Sequence, residues 1–152
     1  MEIRELVELT EEQIENLIVD DPVRPHISCA QRISMGKVVA LKQAEKVLAV
    51  CCIAFCYGIP KTENDLLQVS FSFDELDNRT IVPYTIWSYE PGSGRALVRS
   101  LLDWVKNDTD ETPRVVTLSP KTEMAKKFHL SNGATLLQTN EHTYNFEYDL
   151  RE

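Results

Sequence analysis

Ile81-Val82-Pro83-Tyr84-Thr85-Ile86-Trp87-Ser88 is an apolar run that meets the turn Tyr89-Glu90-Pro91-Gly92-Ser93-Gly94, and from Arg95 to Lys106 apolar residues recur at helical spacing. A second apolar strand, Arg114 to Ser119, follows, and Pro120 steps into another helix. A strand that feeds a helix through Gly-x-Gly leaves backbone N–H groups free at the helix N-terminus, where the dipole favours an anion. The glycines let the backbone come close to a phosphate and take positive φ without a Cβ clash. No Gly-Lys-Ser/Thr follows, so this is not a Walker A loop, and Leu97 stands where the third glycine of the dinucleotide fingerprint would fall.

Beyond the loop, Gly94-Arg95-Ala96-Leu97 opens the helix, and a strand later come Ser119-Pro120-Lys121-Thr122, then Ala125, Phe128, His129, Gly133 and Ala134. The two segments together resemble the GNAT superfamily of acyl-CoA N-acyltransferases. That family carries a Gln/Arg-x-x-Gly-x-Gly/Ala loop before a helix and, about a strand later, a Pro-x-Asn-x-x-Ala-x-x-Phe-Tyr-x-x-x-Gly-Phe segment. Tyr89 replaces the family's Gln/Arg, the connection from strand to glycines is shorter, and Glu90 adds a negative charge near a site meant for pyrophosphate. The resemblance runs over nearly the whole chain. It implies an α/β (mixed α+β) fold, with a mixed, mostly antiparallel sheet of roughly six to seven strands and helices on both faces. One domain over residues 1–152 is expected.

Composition narrows the function classes. A formal net charge of −8 leaves no basic excess to neutralise phosphates, which argues against nucleic acid as the principal partner. It fits a cationic acceptor such as an amine. No apolar run reaches transmembrane length and the acidic N-terminus lacks the regions of a signal peptide, so no membrane partner and a cytoplasmic location are expected. Cys51, Cys52 and Cys56 lie in one apolar strand, Cys51 on one face and the other two on the opposite face. His26-x-x-Cys29 is an isolated pair without a second half, so the cysteines read as buried small hydrophobes and no metal is expected.

Taken in order, Glu2 to Leu9 reads as a strand, and Thr10-Glu11-Glu12-Gln13 as a capping box opening a helix to about Val19. Ser28 can cap a short helix ending near Met35, with Gly36 just past its end. Val38 to Leu41 and Val47 to Tyr57 form a hairpin about Glu45-Lys46. Val69, Phe71 and Phe73 alternate with serines, which predicts a strand, and Asp74 to Asn78 reads as a turn or short helix. Asn132-Gly133 ends the last helix, and Ala134 to Thr139 with Thr143 to Leu150 closes the chain as a hairpin. Its edge offers a place for a second copy, as in a homodimer.

The resemblance implies direct attack of an amine on an acyl-CoA thioester, with acetyl-CoA the expected cosubstrate and the amine acceptor unspecified. Backbone N–H groups of Gly92, Ser93, Gly94, Arg95 and Ala96 would hold the pyrophosphate, with the Ser93 hydroxyl and the Arg95 charge as additions. Trp87, Ser88 and Tyr89 would contact the pantetheine arm and the thioester carbonyl. Thr122 stands at the family's Asn near the cofactor; it is equally a helix N-cap, and both roles face the same crevice. His129 stands at the family's general-acid tyrosine, where imidazole could protonate a departing thiolate; the alternative is a histidine placed by the dipole of its helix C-terminus. Glu90 and Ser119 are the nearest candidates for a base, and Arg24, His26, Glu141 and His142 fall in the two loops that line the acceptor side in relatives. Two other readings stay open: a GNAT-like domain without turnover that serves as a CoA-binding or interaction module, and a nucleotide-binding protein of another fold.

Overall fold

The computed structural model describes residues 3–71, 80–108 and 113–150. Along them run β1 (Arg4–Glu8), α1 (Glu11–Leu17) with a 3-10 turn (Ile18–Asp20), α2 (Cys29–Met35), β2 (Gly36–Gln43) and β3 (Lys46–Cys56). Then come α3 (Glu63–Val69), β4 (Ser70–Phe71), β5 (Thr80–Ser88), α4 (Ser93–Asp108), β6 (Arg114–Val116), β7 (Ser119–Pro120), α5 (Glu123–Ser131), β8 (Thr135–Thr139) and β9 (Thr143–Tyr148).

β3 is buried from Leu48 to Cys56, so it needs a strand on each edge and cover on each face. It has antiparallel β2 and antiparallel β5 as neighbours, and β4 continues the line of β2 at Phe55 and Cys56. All nine strands join one sheet, along the path β1-β2-β3-β5-β6-β9-β7, with β8 on β9. The expected mixed, mostly antiparallel architecture is present; only β5 and β6 are parallel. The strand expected over Arg114 to Ser119 is broken into β6 and β7, both paired to β9, and of the strand expected from Val69 to Phe73 the two-residue β4 is formed.

The alternation of β3 divides the core as the sequence predicts. Cys51 packs with Leu97, Val98, Leu101 and Val105 of α4 and with Phe146 and Tyr148 of β9. Cys52 and Cys56 face Ile14, Met35, Leu66 and Tyr84 under α1, α2 and α3. Each fully buried large side chain here is worth roughly 1.5–3 kcal/mol, so both helical layers are held by the same strand. All four cysteines are buried. The capping boxes at Thr10 with Gln13 and at Ser28 with Gln31 are formed.

Two local expectations need correction. Val69 ends helix α3, and the strand expected there is confined to Ser70–Phe71: Thr62 accepts a hydrogen bond from the Asp65 N–H at 3.0 Å and starts the helix, and Leu66 is fully buried in it. Phe73 and the segment 74–78 lie outside the described residues. Helix α4 begins at Ser93, two residues before the periodicity shows it, because Gly92 takes φ +79° and turns the chain at once. Among the described residues no helix is long and apolar enough to cross a membrane. β8 has β9 on one side, and Leu136 and Leu137 on it are partly exposed.

Candidate acyl-CoA site

The site arises where parallel pairing fails. β5 and β6 pair only at Thr80–Arg114 and Ile81–Val115, and the last backbone link between the two segments is the Leu118 N–H to the Pro83 carbonyl at 3.1 Å. Beyond Pro83 the strands part. The gap opens into a cavity of about 720 Å3, lined by Pro83 to Ser88, by Gly94, Val98, Leu101 and Leu102 of α4, and by Thr122, Ala125, Phe128 and His129 of α5. That volume falls in the range of small-molecule sites.

β5 presents an open polar edge to this cavity. Its register slips between Cys52 and Ile53, so Tyr84 is an extra, bulged residue. After the bulge the antiparallel ladder alternates. The Tyr89 N–H donates to the Leu48 carbonyl at 2.8 Å, which puts Tyr89, Trp87 and Thr85 on the β3 side of the ladder. The N–H and C=O of Ser88 and Ile86 therefore face the cleft. Of the expected strand contacts only Ser88 offers its backbone there. Trp87 lines the cavity with its side chain, and Ile86 is the backbone partner that sequence reading missed. The Tyr89 hydroxyl takes the Trp87 indole N–H at 2.9 Å and sits 2.8 Å from Asp20, so Tyr89 ties β5 to the end of α1 and does not line the cavity.

At the loop, Gly92 turns the chain and α4 aims its first N–H groups outward. The Ser93 N–H is taken by the Glu90 carbonyl and the Ala96 N–H by the Gly92 carbonyl; the helix supplies no acceptor for Gly94 and Arg95. The Ser93 hydroxyl is not a free donor. It is buried and bonded to the carbonyls of Leu48 and Glu90 at 2.8 and 2.6 Å, so it staples the loop to β3. Arg95 is exposed, and Ala96 packs against the core. Glu90 turns to Lys46, whose ammonium holds its carboxyl below the usual range, so its charge is paired away from the loop. Gly94 lines the cavity under α5: a Cβ there would lie 3.4 Å from Phe128 Cε1.

Thr122 caps α5, accepting from the Ala125 N–H at 3.2 Å, and also lines the cavity. His129 is buried, with Nδ1 2.8 Å from the Tyr148 hydroxyl and its ring stacked on Phe146 at 5.1 Å. Burial lowers its pKa to about 4, so the ring is neutral at pH 7. Burial likewise raises the Tyr148 phenol. Ser119 lines the cavity with its hydroxyl 2.8 Å from that of Thr117. Among the described residues no carboxylate, lysine or arginine lines it.

The Pro22–Val23 side of the cavity is held by charges that a sequence reading places on the surface. Arg32 and Asp21 are fully buried and 2.8 Å apart; Asp21 also accepts the Thr85 hydroxyl at 2.9 Å. Arg24 is buried, donates to the Tyr84 carbonyl at the bulge, and pairs with Glu63 at 3.2 Å, which also holds His26 at 2.6 Å. These bonds fix Pro22 and Val23 as one wall of the cavity. Glu141 and His142 form an exposed pair outside it.

No family profile matches the chain, and no curated protein matches it by sequence. Solved structures do match in shape. The loading GNATL domain of CurA from Lyngbya majuscula superposes with a TM-score of 0.69 at 13% identity, covering 98% of each chain. Arabidopsis thaliana NAA60 in complex with acetyl-CoA gives 0.61 at 12% identity, over 96% of this chain and 99% of that one. Arabidopsis thaliana Naa50 in complex with the bisubstrate analogue CoA-Ac-MVNAL gives 0.58 at 11% identity, over 96% and 98%. The chain has the GNAT fold.

Proposed function

We propose that the protein is an acyl-CoA N-acyltransferase that moves an acyl group from CoA to an amine. The observation that carries this reading is the parting of β5 from β6 beside a glycine turn at the start of α4. The Gly94 and Arg95 N–H groups and the helix dipole suit a pyrophosphate there. Ile86 and Ser88 offer backbone partners to the amides of a pantetheine arm laid along the open edge, with Thr122 at the rim. The thioester then lies near the bulge at Tyr84 and Thr85, with the amine arriving from the Pro22 and Val23 side.

In the reaction the amine nitrogen attacks the thioester carbon, the C–N bond forms as the C–S bond breaks, and the proton lost by the amine ends on the CoA sulfur. His129, neutral and oriented by Tyr148, serves the departing sulfur as a hydrogen-bonding group. With no carboxylate in the lining, the amine enters as the free base or passes its proton to water. That same lack of a carboxylate supports the second reading, a CoA-binding module without turnover. Free-thiol release from acetyl-CoA across a panel of amines separates the two. Thiol release that requires both an amine and an intact loop supports the transferase; CoA binding with no release by any amine supports the module. Unchanged turnover in His129→Phe would remove His129 from the mechanism.

A further inference from the structure

The cavity reaches inward past the bulge of β5 as far as Val115, which pairs with Ile81. Gly94 lies beside Ser88, a Cβ on it being 3.9 Å from Ser88 Cβ, and α4 runs back from there toward the paired ends of β5 and β6. At about 1.5 Å per residue, Leu101 and Leu102 lie roughly 11–12 Å along the helix from Gly94. Traced back from Ser88 at roughly 3.3 Å per residue, β5 reaches Thr85 in about 10 Å. The thioester level and the Leu101–Leu102 level therefore coincide, and both residues line the cavity there together with Cys51, Val115, His129 and Tyr148.

The chemistry of this inner end is uniform. Cys51 is buried and its thiol stays protonated, since burial raises its pKa well above the usual value. The polar atoms of His129 and Tyr148 that meet at 2.8 Å satisfy each other. Nothing in this lining is charged at neutral pH. A carboxylate-terminated acyl group would lose its hydration there with no cation to pair it, whereas methylenes carry no charge to desolvate.

We infer that the inner end of the cavity, between α4 and β6, accepts an uncharged acyl chain longer than acetyl, so that short saturated acyl-CoA thioesters are the preferred donors. This rests on the acyl-CoA reading above. Each methylene buried is worth roughly fourfold in Kd, so two of them give about fifteenfold.

The test is calorimetric titration of the wild-type protein with acetyl-, butanoyl-, hexanoyl- and succinyl-CoA. Butanoyl-CoA is expected to bind about fifteenfold more tightly than acetyl-CoA and hexanoyl-CoA more tightly again. Succinyl-CoA, with the same four carbons as butanoyl but a terminal carboxylate, is expected to show no gain. Leu102→Phe and Cys51→Leu, which fill the inner end, should lose the gain with chain length. Should both variants fail to fold, the wild-type series decides alone. Acetyl-CoA binding with affinity independent of chain length, or succinyl-CoA bound as tightly as butanoyl-CoA, would overturn the inference and leave the acyl-CoA reading standing. Failure of every thioester to bind would overturn both.

Discussion

Replacing Arg32 by methionine tests whether one buried ion pair holds the acceptor-side wall. The Arg32 and Asp21 side chains are wholly buried, with Nη1 2.8 Å from Oδ2. The same guanidinium donates to the Ile27 carbonyl at 2.9 Å and to the Arg24 carbonyl at 2.7 Å. Methionine keeps the apolar stem but strands a carboxylate and two carbonyls. Breaking one side of a buried pair costs about 3–5 kcal/mol. Asp21 keeps the N–H groups of Val23 and Arg24, each at 2.9 Å, and the Thr85 hydroxyl, which places the expected loss near the lower end, about 3 kcal/mol. For a chain of this size that lowers Tm by roughly 6–12 °C.

Acidity adds a second readout. Burial pushes the Asp21 carboxyl up, but hydrogen bonds from the Arg24 N–H, Arg32, the Val23 N–H and Thr85 outweigh it and hold the group below its ordinary 3.8. A carboxyl depressed on folding stabilises above its unfolded pKa and loses that contribution as pH falls through the folded value. Wild type therefore keeps this term down to about pH 4 and loses it below. Without the cation the carboxyl rises, and the acid-unfolding midpoint of Arg32→Met moves to higher pH. Urea unfolding measures the stability, and Asp21→Asn with the double variant closes a cycle whose coupling should exceed about 1 kcal/mol. A loss under about 1 kcal/mol, or additive single effects, would refute the argument.

Ser93→Ala removes one hydroxyl donor shared between two carbonyls and should cost about 1–2 kcal/mol in urea unfolding; full stability with weakened CoA binding would instead put the hydroxyl on the ligand. His129 gains no proton in the native state until about pH 4, while the unfolded state takes one up near 6.5, so stability should rise with pH between those values. His129→Phe should flatten that part of the Tm–pH profile, and an unaltered slope would show that the ring is not held neutral. Leu66→Ala empties the anchor of α3 and should cost about 2–5 kcal/mol by denaturant unfolding, whereas a neutral change would mean α3 does not pack on β3.

The parts of this molecule that could be read in the sequence are those whose cues are local. The run from Ile81 through the glycine turn into α4, the Pro120-to-Gly133 segment and the capping residues Thr10 and Ser28 all form as their spacing predicts. Helix α3 stayed hidden because Glu63-Asn64-Asp65 gives it little apolar period, while the alternation at Val69 and Phe71 signals a strand that the chain forms only at Ser70–Phe71. The parting of β5 from β6 is a non-local event: Val116, Thr117 and Leu118 are as apolar and β-branched as a continuous strand would be, and only their turn toward β9 breaks it. Arg24 and Arg32 look like surface charges along the chain; their burial follows from Asp21 and Glu63 being brought to them by folding. Ser93 carried no sign of its direction, since a serine after Gly92 can face either a phosphate or the Leu48 carbonyl.

The central claim is that the parted strands and the glycine turn form an acyl-CoA site, and calorimetric titration with acetyl-CoA and, separately, free CoA tests it most directly. Gly94→Trp is the control, because a side chain there must enter the cavity against Phe128. The account predicts micromolar binding of both ligands by wild type, lost in a variant that keeps a wild-type Tm. A folded wild-type protein that binds neither would contradict it.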